Sequence, residues 1–395
     1  IRDRYILMLL AFISNTIAQG YDLKGCISIA LDNKQTLYSA ELDVESAEKG
    51  LTGSYSGLLP SLNLRTNKAK THFPEQEIIS MDFENATLDT SISSSTSSVS
   101  TGLSINQTLY DGGRSMNTVR QARGNLDIAR LNRRQTRINV IQNVAISYYG
   151  LLQSQQLLDV ANKNLGLSEQ QVDLVQKQFD VGTVRKTDLL KAKVSRGQAK
   201  VEVLNSKTAL ENARRQLFND MGMQDFGQPI IAVADDWTSV VIPTSVGALE
   251  LLKTKNPGLL IQQARINLGE IQVKIARSMR LPSVGASMNY SANGENNEEM
   301  LEAIQDDWTM GMNLSLSVPL YSGNSLSTSQ QQAVLSWKRS KNDYITLLND
   351  LRVQVELLRK SLNNYIEIIP INESCLLYTS DAADDTPCVD LGGRR

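Results

Sequence analysis

Residues 308–324 read WTMGMNLSLSVPLYSGN. Trp308, Met310, Met312, Leu314, Leu316, Val318 and Leu320 alternate with Thr309, Gly311, Asn313, Ser315, Ser317 and Pro319. A period of two marks a strand, because successive side chains leave a pleated backbone on opposite faces. Here one face is apolar and the other carries small, uncharged polar groups. A sheet packed on helices in water usually sets bulkier apolar groups against a face rich in Lys and Glu. About ten residues of apolar and small-polar alternation instead fit a transmembrane strand, with lipid on one side and an aqueous lumen on the other.

Three more segments follow the same rule. Val284, Ala286, Met288 and Tyr290 alternate with Ser283, Gly285, Ser287 and Asn289, and Val99, Thr101, Leu103, Ile105 and Leu109 with Ser100, Gly102, Ser104, Asn106 and Thr108. Leu62, Leu64 and Thr66 do so less cleanly with Ser61, Asn63 and Arg65. Tyr290 and Trp308 fall at one end of their strands, across the polar loop 291–307, while Tyr110 and Tyr321 close the other end. Two aromatic rims are what a membrane interface favours.

Between the strands the spacing changes to three and four. Leu37, Ala40, Val44, Ala47 and Leu51 form one seam, Leu158, Ala161, Leu165, Val172, Val175 and Phe179 a second, and Leu189, Ala192, Ala199, Val203, Leu210 and Leu217 a third. Ile261, Ala264, Leu268, Ile271 and Ile275, and later Tyr344, Leu347, Leu351 and Leu358, continue the pattern. A strict repeat of about 3.5 residues gives a narrow stripe and knobs-into-holes packing, and the many Ala, Ser and Val knobs let helices approach closely. From Arg114 to about Gln178 the conspicuous breakers are only Gly124, Gly150 and Gly166. A single helix there would be ~100 Å long at ~1.5 Å per residue. The seam loses phase around Arg130, Arg133, Arg134 and Arg137, which read as a solvated basic face.

The chain also repeats itself. Leu59-Pro60-Ser61-Leu62 returns as Leu281-Pro282-Ser283-Val284, each closing a helix and opening a strand. Leu109-Tyr110-Asp111-Gly112-Gly113 returns as Leu320-Tyr321-Ser322-Gly323-Asn324, each closing a strand and opening a helix. Proline stops a helix by removing an amide donor, and glycine lets the backbone turn without a Cβ clash. Each repeat is therefore helix, strand, loop, strand, helix. Four strands cannot curl into a membrane barrel, whose smallest size is about eight. An open edge in lipid leaves amides unpaired at several kcal/mol apiece, so the chain must oligomerise.

Composition removes other classes. With 40 Lys+Arg against 42 Asp+Glu and a net charge of −2, there is no basic excess to hold a phosphate backbone. The single histidine, His72, removes most His-based catalysis and His-rich metal sites, and neither metal nor cofactor is expected. Asp235-Asp236, Glu298-Glu299 and Asp306-Asp307 are paired carboxylates in polar connectors, with no base, nucleophile or phosphate loop beside them. They read as solvated acids, and the chain does not read as an enzyme. The longest apolar run, Tyr5–Ile13, is far short of the ~20 residues of a membrane helix. With Arg2 and Arg4 before it and Thr16-Ile17-Ala18 after it, residues 1–18 read as a signal peptide cleaved after Ala18. Leu23-Lys24-Gly25-Cys26 superficially matches a lipidation box, but four polar-leaning residues separate Cys26 from the apolar run, so it reads as a buried thiol. Residues 370–395, with Cys375 and Cys388, show neither period and read as a non-native tail, their spacing giving no ground for a disulfide.

The paired Leu-Pro-Ser and Leu-Tyr-(Asp/Ser)-Gly junctions, Asn256-Pro257, and Phe179-Asp180-Val181-Gly182-Thr183 followed by Asp188-Leu189-Leu190 together resemble outer-membrane efflux channels of the TolC kind. The resemblance covers roughly 21–369. It implies a long α-helical coiled-coil barrel reaching through the periplasm below a transmembrane β-barrel, with four strands per chain and a homotrimer closing twelve strands. Such a channel is a passive export conduit of a tripartite efflux pump or type I secretion system. A periplasmic adaptor couples it to an inner-membrane transporter. The Val-Gly-Thr turn lies at the periplasmic tip in that family, so Val181, Gly182 and Thr183 are the expected adaptor contacts. The strand–helix junctions fall at Pro60, Gly112, Gly113, Pro282 and Gly323.

On this reading residues 19–369 are the channel: a first repeat at 21–222, an equatorial segment at 223–244 with Gly227, Pro229 and Pro243, and a second repeat at 245–369. The second repeat has no second tip turn and so reads as incomplete. A periplasmic coiled-coil adaptor and a structural coiled coil stand as the alternatives, although neither accounts for strands that end at matched Pro and Gly positions.

Overall fold

The computed structural model describes residues 20–82, 87–224, 231–232 and 243–384. The expected signal peptide, most of the 223–244 segment with Asp235-Asp236, and Cys388 lie outside the described residues. Two compact units emerge: a helical one from Ile1–Val44, Arg130–Gly258 and Arg352–Arg395, and a sheet-bearing one from Glu45–Ala129 and Leu259–Leu351.

The first repeat begins with β1 (Gly20–Tyr21), α1 (Leu23–Asn33) and α2 (Gln35–Ser54), followed by a short turn of 3-10 helix and the hairpin β2 (Ser61–Asp82) and β3 (Thr87–Tyr110). It closes with α3 (Arg114–Asp180) and α4 (Lys186–Asp220). After β4 (Ile231–Ala232), which pairs in parallel with β1, the second repeat runs α5 (Ser245–Lys255), α6 (Pro257–Ser278), β5 (Ser283–Gly294), α7 (Asn297–Ala303), β6 (Trp308–Ser317) and α8 (Ser325–Asp384). The duplication extends to detail. α1 and α5 each have 11 residues and start at a side-chain cap, Asp22 accepting from the Gly25 amide and Thr244 from that of Gly247. Each ends at an extended residue, Lys34 or Asn256, that leads into the longer α2 or α6.

In the helical unit the core is Cys26, Ala30, Val140, Val144, Tyr148, Leu151, Leu217, Phe218, Met221 and Ala232. Cys26 is fully buried there, and burial first, then the nearby Asp22 charge, push its thiol up to about 11. Lys34 ties α1 to the end of α4 by donating to the Asn219 carbonyl at 2.6 Å. Toward the α3–α4 turn the seam members Ala161, Val172, Val175, Leu189, Ala199 and Val203 are buried, as the spacing predicts. α3 is a single helix of 67 residues that passes unbroken through Gly124, Gly150 and Gly166.

In the sheet-bearing unit the helices sit close because small residues face large ones. A Cβ at Gly124 on α3 would lie 2.6 Å from the Leu268 side chain on α6, and one at Gly269 would lie 3.0 Å from Trp337 on α8. Gln121 and Gln272 are hydrogen-bonded across the α3–α6 contact at 2.8 Å, and the Lys341 ammonium stands 3.6 Å from the centre of the Trp337 ring.

Two expectations need correcting. β2 and β3 run far beyond Thr66 and Val99, as a hairpin of 22 and 24 residues; there the ladder of backbone bonds continues although the apolar alternation has stopped. The helix expected to end near residue 369 continues through Pro370 to Asp384. Pro370 has no amide to donate and adds no bond, but each residue beyond it again adds one per residue fixed, so the helix needs no apolar stripe to continue.

Candidate functional site: a two-faced sheet, its junctions and a helical tip

β2, β3, β5 and β6 form one antiparallel sheet in that order. Its register turns the alternation of each strand into whole rows. Leu62, Ile105, Met288 and Met312 stand side by side, as do Leu64, Leu103, Tyr290 and Met310. The intervening rows are Ser61, Asn106, Ser287 and Asn313, and Asn63, Ser104, Asn289 and Gly311. One face of the sheet is therefore apolar, and the other is polar with Arg65 as a cation in the row of Gly102, Ser291 and Thr309. The apolar face is uncovered over much of its area: Leu64 and Met312 are 71% and 75% exposed. β6 is exposed along its whole length. An apolar surface this continuous marks an interface with something apolar.

The apolar band has clear limits. At the far end Tyr290 and Trp308 stack with centroids 5.5 Å apart, and the Tyr290 hydroxyl donates to the Ile304 carbonyl at 2.6 Å. The loop expected at 291–307 in fact holds the end of β5 and α7, which packs back onto β5 and β3 and helps bury Val99 and Ala292. At the near end β6 stops at Ser317, before Val318 and Leu320, because Pro319 has no amide to continue the ladder. Tyr110 and Tyr321 are exposed there.

The strand–helix junctions of the two repeats meet. Gly112 has φ +70, and a Cβ on it would lie 2.7 Å from the Ser278 carbonyl oxygen and 2.8 Å from Leu281 Cβ, just before Pro282. Gly113 and Gly323 also have positive φ, 81° and 59°, and Asn324 occupies the second position of its turn at 64°. Asp111 starts α3: its carboxylate accepts from the Ser115 amide at 2.8 Å and from the Ser115 hydroxyl. Burial alone would raise the Asp111 carboxyl, but these two bonds and the Arg114 charge outweigh it and hold the group below its ordinary 3.8. The same Ser115 hydroxyl lies within 3.2 Å of the Gly57 carbonyl, and Gln107 donates to the Leu58 carbonyl at 3.3 Å, fixing the turn before Pro60.

The α3–α4 turn is built by backbone bonds. Thr183 N–H reaches the Gln178 carbonyl and Gly182 N–H the Phe179 carbonyl, both at 2.9 Å, with Gly182 at φ +80. This six-to-one, five-to-two pairing is the Schellman closure of a helix, which needs a left-handed residue where Gly182 stands. The Thr183 hydroxyl adds a bond to Gln178 O at 2.8 Å, and the Asp188 carboxylate accepts from the Arg185 amide at 3.3 Å to start α4. Val181, Gly182 and Thr183 are exposed, with Val181 at 75%.

The arginines of α3 form the solvated face expected: Arg130, Arg133, Arg134 and Arg137 are exposed. With Asp32 and Glu41 they line a cleft of about 720 Å³, a grouping that sequence spacing does not reveal. Glu299 serves α7, accepting from the Glu295 amide at 2.9 Å, and Glu298, Asp306 and Asp307 are exposed. Among the described residues no group of His, Cys, Asp and Glu could hold a metal ion, and no helix is long and apolar enough to cross a membrane.

A two-faced four-stranded antiparallel sheet joined to long helices is the architecture of a membrane-channel subunit. The comparisons agree. The sequence model of the outer membrane efflux protein family matches residues 26–223 and 248–364, and the chain belongs to that family. The outer membrane protein TolC of Vibrio cholerae is 21% identical over 380 residues, spanning 92% of this chain and 80% of its own length. TolC of Escherichia coli is 23% identical over 363 residues, 89% of this chain and 69% of its own. Among solved structures, CusC superposes with a TM-score of 0.76 at 20% identity, over 92% of this chain and 81% of its own. The Campylobacter jejuni outer membrane channel CmeC gives 0.74 at 16%, over 92% and 76%. The chain is an efflux channel component of the outer membrane.

Proposed function

We propose that three copies of this chain close a twelve-stranded barrel and form a passive export conduit. A periplasmic adaptor docks on it at Val181, Gly182 and Thr183 and couples it to an energised inner-membrane transporter. The observation that carries this reading is the sheet with an exposed apolar face and two unpaired edges. About every second residue of an edge strand turns both backbone groups outward. The 10-residue β6 therefore presents about ten of them, and several kcal/mol for each in hydrocarbon would be prohibitive. Pairing β6 of one copy with β2 of the next removes that cost on every edge, and three copies supply twelve strands, within the range of closed membrane barrels.

The tip assignment is supported by exposure and by rigidity. A Schellman-closed turn presents Val181 and Thr183 without having to be ordered on binding, which lowers the entropic cost of docking. In this family the conduit conducts rather than catalyses, so the chemistry expected of this chain is passage, not turnover. Heat-modifiable trimers in the outer-membrane fraction are expected, and a soluble periplasmic monomer would overturn the reading. For the tip, Gly182→Val is expected to weaken site-specific crosslinking to the adaptor with the trimer intact; unchanged crosslinking would remove the assignment.

A further inference from the structure

The outward face of β2 changes character along its length. Leu62, Leu64 and Thr66 lie in the apolar rows, and the next residues on the same face are Lys68, Lys70 and His72, opposite Val99, Ser97 and Ser95 of β3. Residues two apart on a strand are ~6.8 Å apart, so Lys68 stands one step beyond the apolar band and Lys70 two. Both lysines are exposed. The β3 residues across from them carry no charge, and no ion pair among the described residues joins either lysine to Glu298, Glu299 or Glu302 of neighbouring α7. The other face has a different cation, Arg65, in the row of Gly102, Ser291 and Thr309.

A lysine in this position can lay its methylene stem on the apolar band and hold its ammonium in the polar zone above. β2 enters the sheet from the helices at Ser61, so the lysines lie toward the end remote from them, which in an outer-membrane channel is the external leaflet.

We propose that Lys68 and Lys70, with His72 as an adjoining donor, form a ledge that binds phosphate-bearing lipid headgroups of the outer leaflet at the rim of the barrel. Charge complementarity selects the occupant: two cations one strand-step apart, with no ion pair among the described residues and directly above a hydrocarbon-facing band, match an anionic headgroup whose acyl chains cover Leu62 and Leu64. The proposal rests on the reading of the apolar face as lipid-facing. It adds that lipid is selected by headgroup and not only by its chains.

The test uses the full chain in neutral detergent, titrated separately with a bisphosphorylated glycolipid and with a neutral lipid of matched acyl chains, with retained lipid counted by native mass spectrometry. The phosphorylated lipid is expected to be retained preferentially, inorganic phosphate to fail to displace it, and raised salt to weaken it. Lys68→Gln with Lys70→Gln is expected to lower the preference by about twenty-five-fold at low salt, the product of about fivefold for each surface cation, while Arg65→Gln leaves it unchanged. Equal retention by the double variant, or loss caused only by Arg65→Gln, would overturn the proposal. So would a double variant that loses the trimer while keeping its lipid preference, since the lysines would then pair with acids of an adjoining copy. A chain that enters detergent or bilayer with no headgroup preference refutes this ledge alone. One that enters neither refutes the lipid-facing reading beneath it.

Discussion

Adding one methyl group at Gly112 separates steric demand from backbone demand at the heart of the fold. In Gly112→Ala two costs combine. The residue is held at φ +70, where an L side chain loses about 1–2 kcal/mol. Its new Cβ would also stand 2.7 Å from the Ser278 carbonyl oxygen and 2.8 Å from Leu281 Cβ, both parts of a backbone turn pinned by Pro282 and unable to swing aside. Overpacking of that kind costs about 1–3 kcal/mol, so the total is about 2–5 kcal/mol. Gly182→Ala supplies the control, because φ is +80 but no atom lies within 4 Å of the added methyl. It should cost only the backbone share, about 1–2 kcal/mol. Urea unfolding of both variants in the same detergent, followed by tryptophan fluorescence, gives the comparison, provided the slope with denaturant is unchanged. Equal losses would refute the claim that the two repeats lock together at Gly112 and would leave only a conformational requirement there.

Three other outcomes follow from the geometry. Met312→Arg, on the apolar face, is expected to cost about 2–4 kcal/mol and to deplete assembled channel in the outer membrane, whereas its neighbour Asn313→Arg, on the polar face, should assemble normally and alter conductance; both are read by membrane fractionation and single-channel recording. Because the folded Asp111 carboxyl lies below its ordinary 3.8, its stabilising effect is complete above that value and disappears as pH falls through the lower folded value; Ser115→Ala should shrink this acid-dependent loss, measured as the thermal midpoint across an acid titration. Cys26, fully buried with its thiol raised to about 11, should resist alkylation at neutral pH until the chain unfolds, as peptide-resolved mass spectrometry would report, and labelling of folded protein would contradict its place in the core.

Much of this architecture was legible along the chain because its signals are local. The alternation at 308–317, the three-four seams, Pro60 and Pro282, and the Gly-containing turns each depend on backbone geometry over a few residues, and β5, β6, α3 and α4 appear where those signals put them. The Val181-Gly182-Thr183 turn was equally readable, since left-handed closure of a helix is specified by the residues that make it.

What only tertiary structure decided is everything set by partners distant in sequence. The extension of β2 and β3 past their apolar stretch comes from pairing of each with the other, not from the composition of either. Gly112 differs from Gly182 only through Ser278 and Leu281, which lie more than a hundred and fifty residues away along the chain. The grouping of Arg130, Arg133, Arg134 and Arg137 with Asp32 and Glu41 around one cleft, and the packing of α7 against β5 and β3, likewise arise from register and helix packing. Periodicity tells a residue which face it occupies, but what stands opposite that face is fixed by long-range contacts, and those are where the chemistry of this channel protomer is set.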